Sequence, residues 1–274
     1  MLSPNVLFST FFFLLTSFFS IMIGRTDEYQ KMFQVEQQLW WYRQLHERVA
    51  AALTAQFGDR RDIRVFDAGC GTGGTLNYLR DRGYTNLTGV DGSADAVAFC
   101  HERGLTVSLL NLNDLPDQPE TELVDAVICN DVFCYIAPER LPILLQRLAR
   151  RLRPGGVLIT NNNAFNVFRG QHDLAVGSQR RFVRADLEPL LSPAGLRLRQ
   201  STYWSLVLSI PILAVRLLQR LELALGRKPD VARSDVYLPS RRVNETLYRI
   251  AQTENRLLPR TPFGSSLFLT GERL

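Results

Sequence analysis

The chain has 274 residues, 46% of them hydrophobic and 22% charged, the balance of a globular protein with a sizeable core rather than of a disordered one. Its net charge of +5 is mild and dispersed, and no alternation of basic and aromatic residues stands out, so nucleic acid is not expected as a partner. Cys70, Cys100, Cys129 and Cys134 form neither a CxxC pair nor a Cys/His cluster. No metal site and no disulfide framework is therefore expected, and the thiols read as reduced and mostly buried.

Nothing before Arg25 is charged, and Val6 to Ile23 (VLFSTFFFLLTSFFSIMI) reaches the roughly 18-residue threshold for a membrane span. Two readings of residues 1–24 stand side by side. In one they anchor the protein, with Arg25 and Lys31 keeping the remainder on the cytosolic side. In the other they are an over-called start, and the protein begins at Met22. Residues 25–274 read as one domain. Helical spacing of Phe33, Leu39, Trp40, Leu45, Val49 and Leu53 predicts a helix over 27–57.

Strands follow at 63–67, 87–91, 105–110, 124–130 and 157–160, separated by helices at 75–82, 94–103 and 138–152. A further helix is expected at 184–191 and late strands at 196–203 and 265–272. Between those strands lies a helical insertion, about 204–262. It opens with an apolar stretch, 204–225, that Pro211, Arg216 and Arg220 interrupt, so it reads as an interfacial or packed helix rather than a span. Strands alternating with helices predict an α/β, doubly wound sheet with ligands at the carboxyl ends of its strands. That rule gathers 67–74, Asp91, 111–114 and Asn130-Asp131 around one crevice.

The stretch VFDAGCGTGG fits two patterns. Gly69, Gly71 and Gly74 satisfy GxGxxG, whereas Gly69, Gly71 and Gly73 satisfy GxGxG. An acid such as Asp91, about 20 residues beyond the first glycine, would bond ribose hydroxyls in either case. Asp67 separates them. A carboxylate at that strand end would repel a pyrophosphate but welcome an ammonium group. An NAD(P)-dependent oxidoreductase is the alternative that Asp67 argues against.

In order and spacing, VFDAGCGTGGTL, LTGVDGS, NLNDLP, VDAVICNDVFCYI and LRPGGVLI resemble the successive motifs of class I S-adenosylmethionine-dependent methyltransferases. The resemblance covers roughly residues 62–200. It implies a Rossmann-like sheet of seven strands, mostly parallel with the last antiparallel, with helices on both faces and the insertion before the last strand. It also implies S-adenosyl-L-methionine as cofactor, held by Asp67, Gly69, Cys70, Gly71, Gly73, Asp91, Gly92, Asn111, Leu112, Asn113 and Asn130. The family often has Asp where Asn111 stands, accepting from the adenine amino group. Asn111 is expected to accept through its carbonyl, with Asn113 or Asp114 as substitutes. EQQLWWYR (36–43) and residues 161–181 resemble a bacterial subgroup with a Trp-Trp-aromatic helix before the core.

Methyl transfer from a sulfonium needs a base only when the acceptor must lose a proton. Asn130-Asp131-Val132-Phe133 lacks the Asn/Asp-Pro-Pro-aromatic motif of enzymes that methylate amino groups of nucleic-acid bases. Candidate bases are His172, in a loop and beside Asp173 as an orienting carboxylate, Asp131 and Tyr135. Against these, a solvated loop residue is the favoured reading of His172, and Asp131 reads equally as a helix cap. His46 and His101 read as surface residues. Trp40, Trp41 and Tyr42 read either as a lid or as packing. Arg180, Arg181 and Arg184 read as a solvated basic face, or else as a site for an acidic acceptor. The expected acceptor is a small molecule or lipid-linked, met in the cytoplasm or at the cytosolic face of a membrane. A catalytically silent, membrane-associated module of the same fold stays open.

Overall fold

A computed structural model of the chain describes residues 26–117, 123–224 and 236–274; the apolar segment 1–24 lies outside them. Its strands are β1 (Arg64–Ala68), β2 (Asn86–Asp91), β3 (Val107–Leu109), β4 (Val124–Ile128), β5 (Leu152–Asn163), β6 (Leu196–Trp204) and β7 (Ser266–Arg273). They form one seven-stranded sheet in the order β3-β2-β1-β4-β5-β7-β6. All neighbours run parallel except at β7, which is antiparallel to both β5 and β6. The expected doubly wound sheet with a reversed last strand is thus the architecture observed.

The helices are α1 (Thr26–Val35), α2 (Trp40–Phe57), α3 (Gly74–Arg80), α4 (Ala94–Glu102), α5 (Leu141–Arg151), α6 (Gln171–Val176), α7 (Arg184–Leu191), α8 (Leu206–Ala224) and α9 (Arg241–Leu257). Successive strand residues point to opposite faces, so each central strand feeds two cores. Val127 and Leu158 join Leu144, Leu148 and Leu187 of α5 and α7 on one face. Ala126, Ile128, Val157 and Ile159 join Leu45, Val49 and Leu53 of α2 on the other.

Three elements depart from the expectations. The helix foreseen over 27–57 is two helices, because the chain turns at 36–39 to bury Glu36. Asn244 of α9 secures the break. Its Oδ1 accepts from Trp40 N at 2.9 Å and its Nδ2 donates to Gln38 O at 2.9 Å, which satisfies backbone groups that a helix start leaves open. The fifth strand runs on through Asn161–Asn163, because β7 pairs with these polar residues at Phe268, Leu267 and Ser266. The insertion folds back as α8 and α9. Both Glu254 carboxylate oxygens accept from the first amides of α8, Leu206 N at 2.8 Å and Val207 N at 2.7 Å. Among the described residues, no helix is long and apolar enough to cross a membrane.

Candidate functional site

The site lies where β1, β2 and β4 end. Gly69 N and Cys70 N donate to Val90 O at 2.8 and 3.0 Å, folding the loop after β1 against β2. Gly69 has φ +82°, and a β-carbon there would lie 2.4 Å from Val132 Cγ2, so both backbone and space require glycine. Asp91 holds the loop from below. Its Oδ2 accepts from Gly71 N at 2.8 Å and its Oδ1 from Ser93 N at 2.9 Å. Gly92 N also donates to the carboxylate, so one acceptor site is left for a ribose hydroxyl. Gly73, expected as a cofactor contact, is not among the residues that line the cavity, and its missing side chain makes room for Leu105 and Cys100.

Asp67, at the end of β1, is buried at 3% exposure, and no donor among the described residues bonds its carboxylate. Burial, with Asp91 and Glu36 nearby, pushes its carboxyl up to about 8. A cation would restore the ionised form, whereas a pyrophosphate would bring another anion to three carboxyl groups. The pocket therefore fits the ammonium of an amino-acid moiety and not a dinucleotide. Asn130 adds a second open group: its Oδ1 accepts from Asn161 N at 2.9 Å, while its buried Nδ2 has no partner among the described residues.

At the opposite end, Leu112 forms an apolar wall beside Gly69. Asn111 Oδ1 already accepts from Asn113 N at 2.9 Å and Asn113 Nδ2 at 3.1 Å. Both lone pairs are engaged, so the expectation that Asn111 accepts from an adenine amino group does not fit this geometry. Asp114 does not line the cavity.

The three candidate bases all line the cavity, but differ chemically. Asp131 has φ +56°, an unusual value for a non-glycine residue. Its carboxylate accepts from Asn161 Nδ2 at 3.3 and 3.1 Å, and no helix is capped by it, contrary to one of the expected readings. Burial outweighs the Asn161 hydrogen bond and Arg181, raising it to about 7. The Tyr135 phenol is pushed well above its ordinary range by burial, Cys134 and Asp131, so it suits donation rather than proton removal. His172 sits on α6 rather than in a loop, half-buried. Asp173, read as its orienting carboxylate, binds the Arg181 guanidinium at 2.8 and 3.1 Å and caps α6 through Gly170 N at 2.9 Å.

Several surface expectations are corrected by burial. His46 is 2% exposed, flanked by the Tyr42 and Tyr78 rings at 6.3 and 5.2 Å, and pushed down to about 3 by burial. Arg181 is buried against Asp173, Arg180 donates to Ile136 O, and Arg184 donates to Ser201 O and Thr261 O, so they are not a solvated basic face. Trp40, Trp41 and Tyr42 combine the two readings: all line the cavity, and Trp41 stacks on Trp204 at 5.6 Å. The four cysteines are free and buried, as the sequence suggested.

Tyr29, Met32 and Glu36 were not singled out in the sequence, yet they close the loop side of the cavity. Glu36 accepts from Thr72 Oγ1 and pairs with Arg103 at 2.6 Å, and Gln37 Nε2 donates to Gly74 O at 3.1 Å. The far wall is largely apolar, Leu208, Pro211, Ile212 and Val215 of α8 and Leu247 of α9, with the buried Arg216 of α8 among them. The cavity measures about 850 Å³, near the top of the range for small-molecule sites.

A sheet in this order with its last strand reversed, a glycine loop after β1 and an acid ending β2 define the class I S-adenosylmethionine-dependent methyltransferase fold. Residues 65–156 match the methyltransferase domain family. It is 34% identical over 117 residues to malonyl-[acyl-carrier protein] O-methyltransferase of Enterobacter lignolyticus, covering 43% of this chain and 45% of that one. It is 35% identical over 111 residues to fatty-acid O-methyltransferase of Mycolicibacterium smegmatis, covering 39% of each. The chain thus spans less than half the length of these curated relatives. The structure of magnesium protoporphyrin IX methyltransferase from Synechocystis PCC 6803 with bound S-adenosylmethionine shares the fold. Its TM-score is 0.51 at 18% identity, over 90% of this chain and 85% of that one.

Proposed function

We propose that the chain is an S-adenosylmethionine-dependent methyltransferase acting on an apolar small-molecule or lipid-linked acceptor, at the cytosolic surface of a membrane. The observation that carries this reading is one cavity with two chemically distinct ends. A buried carboxylate without a donor among the described residues stands at the glycine loop, and a largely apolar wall from α8 and α9 stands opposite. The relatives named for malonyl-[acyl-carrier protein] and fatty-acid O-methylation support an acyl or lipid-like acceptor.

When bound, S-adenosylmethionine supplies a methyl carbon on a sulfonium, and the S–C bonding pair leaves with sulfur as the acceptor's lone pair forms the new bond. Asp67 would hold the ammonium and Asp91 the ribose, and Leu112 would offer an apolar surface to the adenine. Trp40, Trp41 and Tyr42 exclude water from the reacting end. For a hydroxyl acceptor, the Asp131 carboxylate takes the proton; at about 7 its affinity matches neutral operation. An acceptor that is already anionic needs no base.

The membrane setting rests on α8. Val207, Ile210, Ala214 and Leu217 recur at helical spacing on an exposed face, with Ile210 70% exposed. Pro211 and Val215, exposed on the same helix, also line the cavity. Tyr237, exposed and cavity-lining, leads into exposed Arg241 and Arg242, a composition suited to an anionic lipid interface.

Calorimetry with S-adenosylmethionine and NAD(P), followed by incubation with labelled cofactor and a membrane-lipid extract, tests the proposal. Binding of the first ligand alone and a labelled lipid-extractable product are expected. Binding of NAD(P) alone would overturn the reading, and cofactor binding with no product from any extract would favour the silent module.

A further inference from the structure

Trp204 closes β6, wholly buried, with its indole Nε1 2.8 Å from Asn161 Oδ1. An indole N–H can only donate, so the Asn161 atom facing it must be the carbonyl oxygen. That fixes the other end of the amide. The NH2 group, and not the oxygen, meets Asp131, at 3.3 Å from one carboxylate oxygen and 3.1 Å from the other. Asn161 is itself immobile: its N–H donates to Asn130 Oδ1 at 2.9 Å and its C=O accepts from Asp131 N at 2.7 Å.

We infer that Asn161 and Trp204 are positioning residues for Asp131, the indole N–H fixing which end of the amide meets the carboxylate. The inference rests on the proposed role of Asp131 as proton acceptor. A donor facing the carboxylate favours its ionised form; a rotated amide would present an oxygen and favour the protonated one. Arg181 assists ionisation, while Tyr42, Tyr135, Cys129 and Cys134 also face Asp131 and are protonated themselves at neutral pH, each phenol or thiol being raised by burial. Asn161 is thus the side chain that hydrogen-bonds the Asp131 carboxylate among the described residues. The same indole supports Trp41 by stacking, so the aromatic wall of α2 and the orientation of the amide depend on one residue.

The test replaces Trp204 by β-(3-benzothienyl)alanine, which keeps the bicyclic shape and removes only the N–H. Asn161→Leu serves as a second variant, and thermal melts confirm that each folds. The Asp131 carboxyl is titrated by 13C NMR in the full chain without cofactor, its signal identified by its loss in Asp131→Asn. The expected result is a titration midpoint about one pH unit higher in both variants, a tenfold change in proton affinity. The acid limb of the pH–rate profile for methyl transfer should move by the same amount. An unchanged NMR midpoint in either folded variant overturns the inference whatever the activity does. A shifted midpoint with an unmoved pH–rate profile supports the positioning of Asp131 and overturns its role as the base.

Discussion

Glu36 and Gly74 meet so closely that a β-carbon on Gly74 would lie 2.2 Å from Glu36 Oε2. The glycine that starts α3 is therefore the seat for a carboxylate arriving from the turn between α1 and α2. Gly74→Ala should push Glu36 off Thr72 and Arg103 and lower stability by about 1–3 kcal/mol, as overpacking does. Glu36→Ala should lose about 3–5 kcal/mol, because Arg103 keeps its buried charge with no partner left on Glu36. Urea denaturation measures both, and a change of under half a kcal/mol in either would show that this contact does not hold the helices to the loop.

Asp67→Asn should weaken S-adenosylmethionine at least tenfold, about 1.4 kcal/mol, when measured by calorimetry. The same variant should be the more stable protein at alkaline pH. The folded carboxyl titrates at about 8, above its ordinary 3.8, so between those values the folded state holds a proton that the unfolded chain has lost. Stability of the wild type then falls as pH rises through that window. The Asn variant lacks this slope; parallel melting curves for the two proteins from pH 5 to 9 would contradict the assignment.

His46 has the opposite sign. Its imidazole is held at about 3, below its ordinary 6.5, so between those values the unfolded chain binds the extra proton. Stability from this group is present above 6.5 and is lost as the pH falls toward 3. Thermal melts of His46→Phe should show a shallower acid limb than the wild type.

Ile210→Asp with Leu217→Asp should abolish co-sedimentation with anionic phosphatidylglycerol vesicles while leaving S-adenosylmethionine affinity unchanged, since neither residue lines the cavity. Equal sedimentation of wild type and variant would remove α8 as the membrane contact.

Much of the fold was legible because it is written locally. Strand 1 running into glycines, Asp91 ending the second strand, and the helix over 184–191 each follow from neighbours within a few residues. The glycine loop was legible for the same reason, since Asp67, Gly69 and Gly71 lie together in the chain. Two glycine patterns overlap at Gly73, and only Leu105 and Cys100 reveal that its missing side chain serves packing.

The acceptor end was not legible. Asn244 breaks the first long helix from α9, and Trp204 orients Asn161 from another strand. Burial, not residue type, made His46 neutral and removed Arg181 from the surface. The sequence by itself determined which segments are strands and helices and where the glycine loop falls, because periodicity and adjacent residues dictate these. Only the tertiary structure decided which carboxylates are desolvated, which amides are fixed and what roofs the cavity. Those depend on contacts between segments far apart in the chain, where desolvation and hydrogen-bond geometry are set by the surroundings.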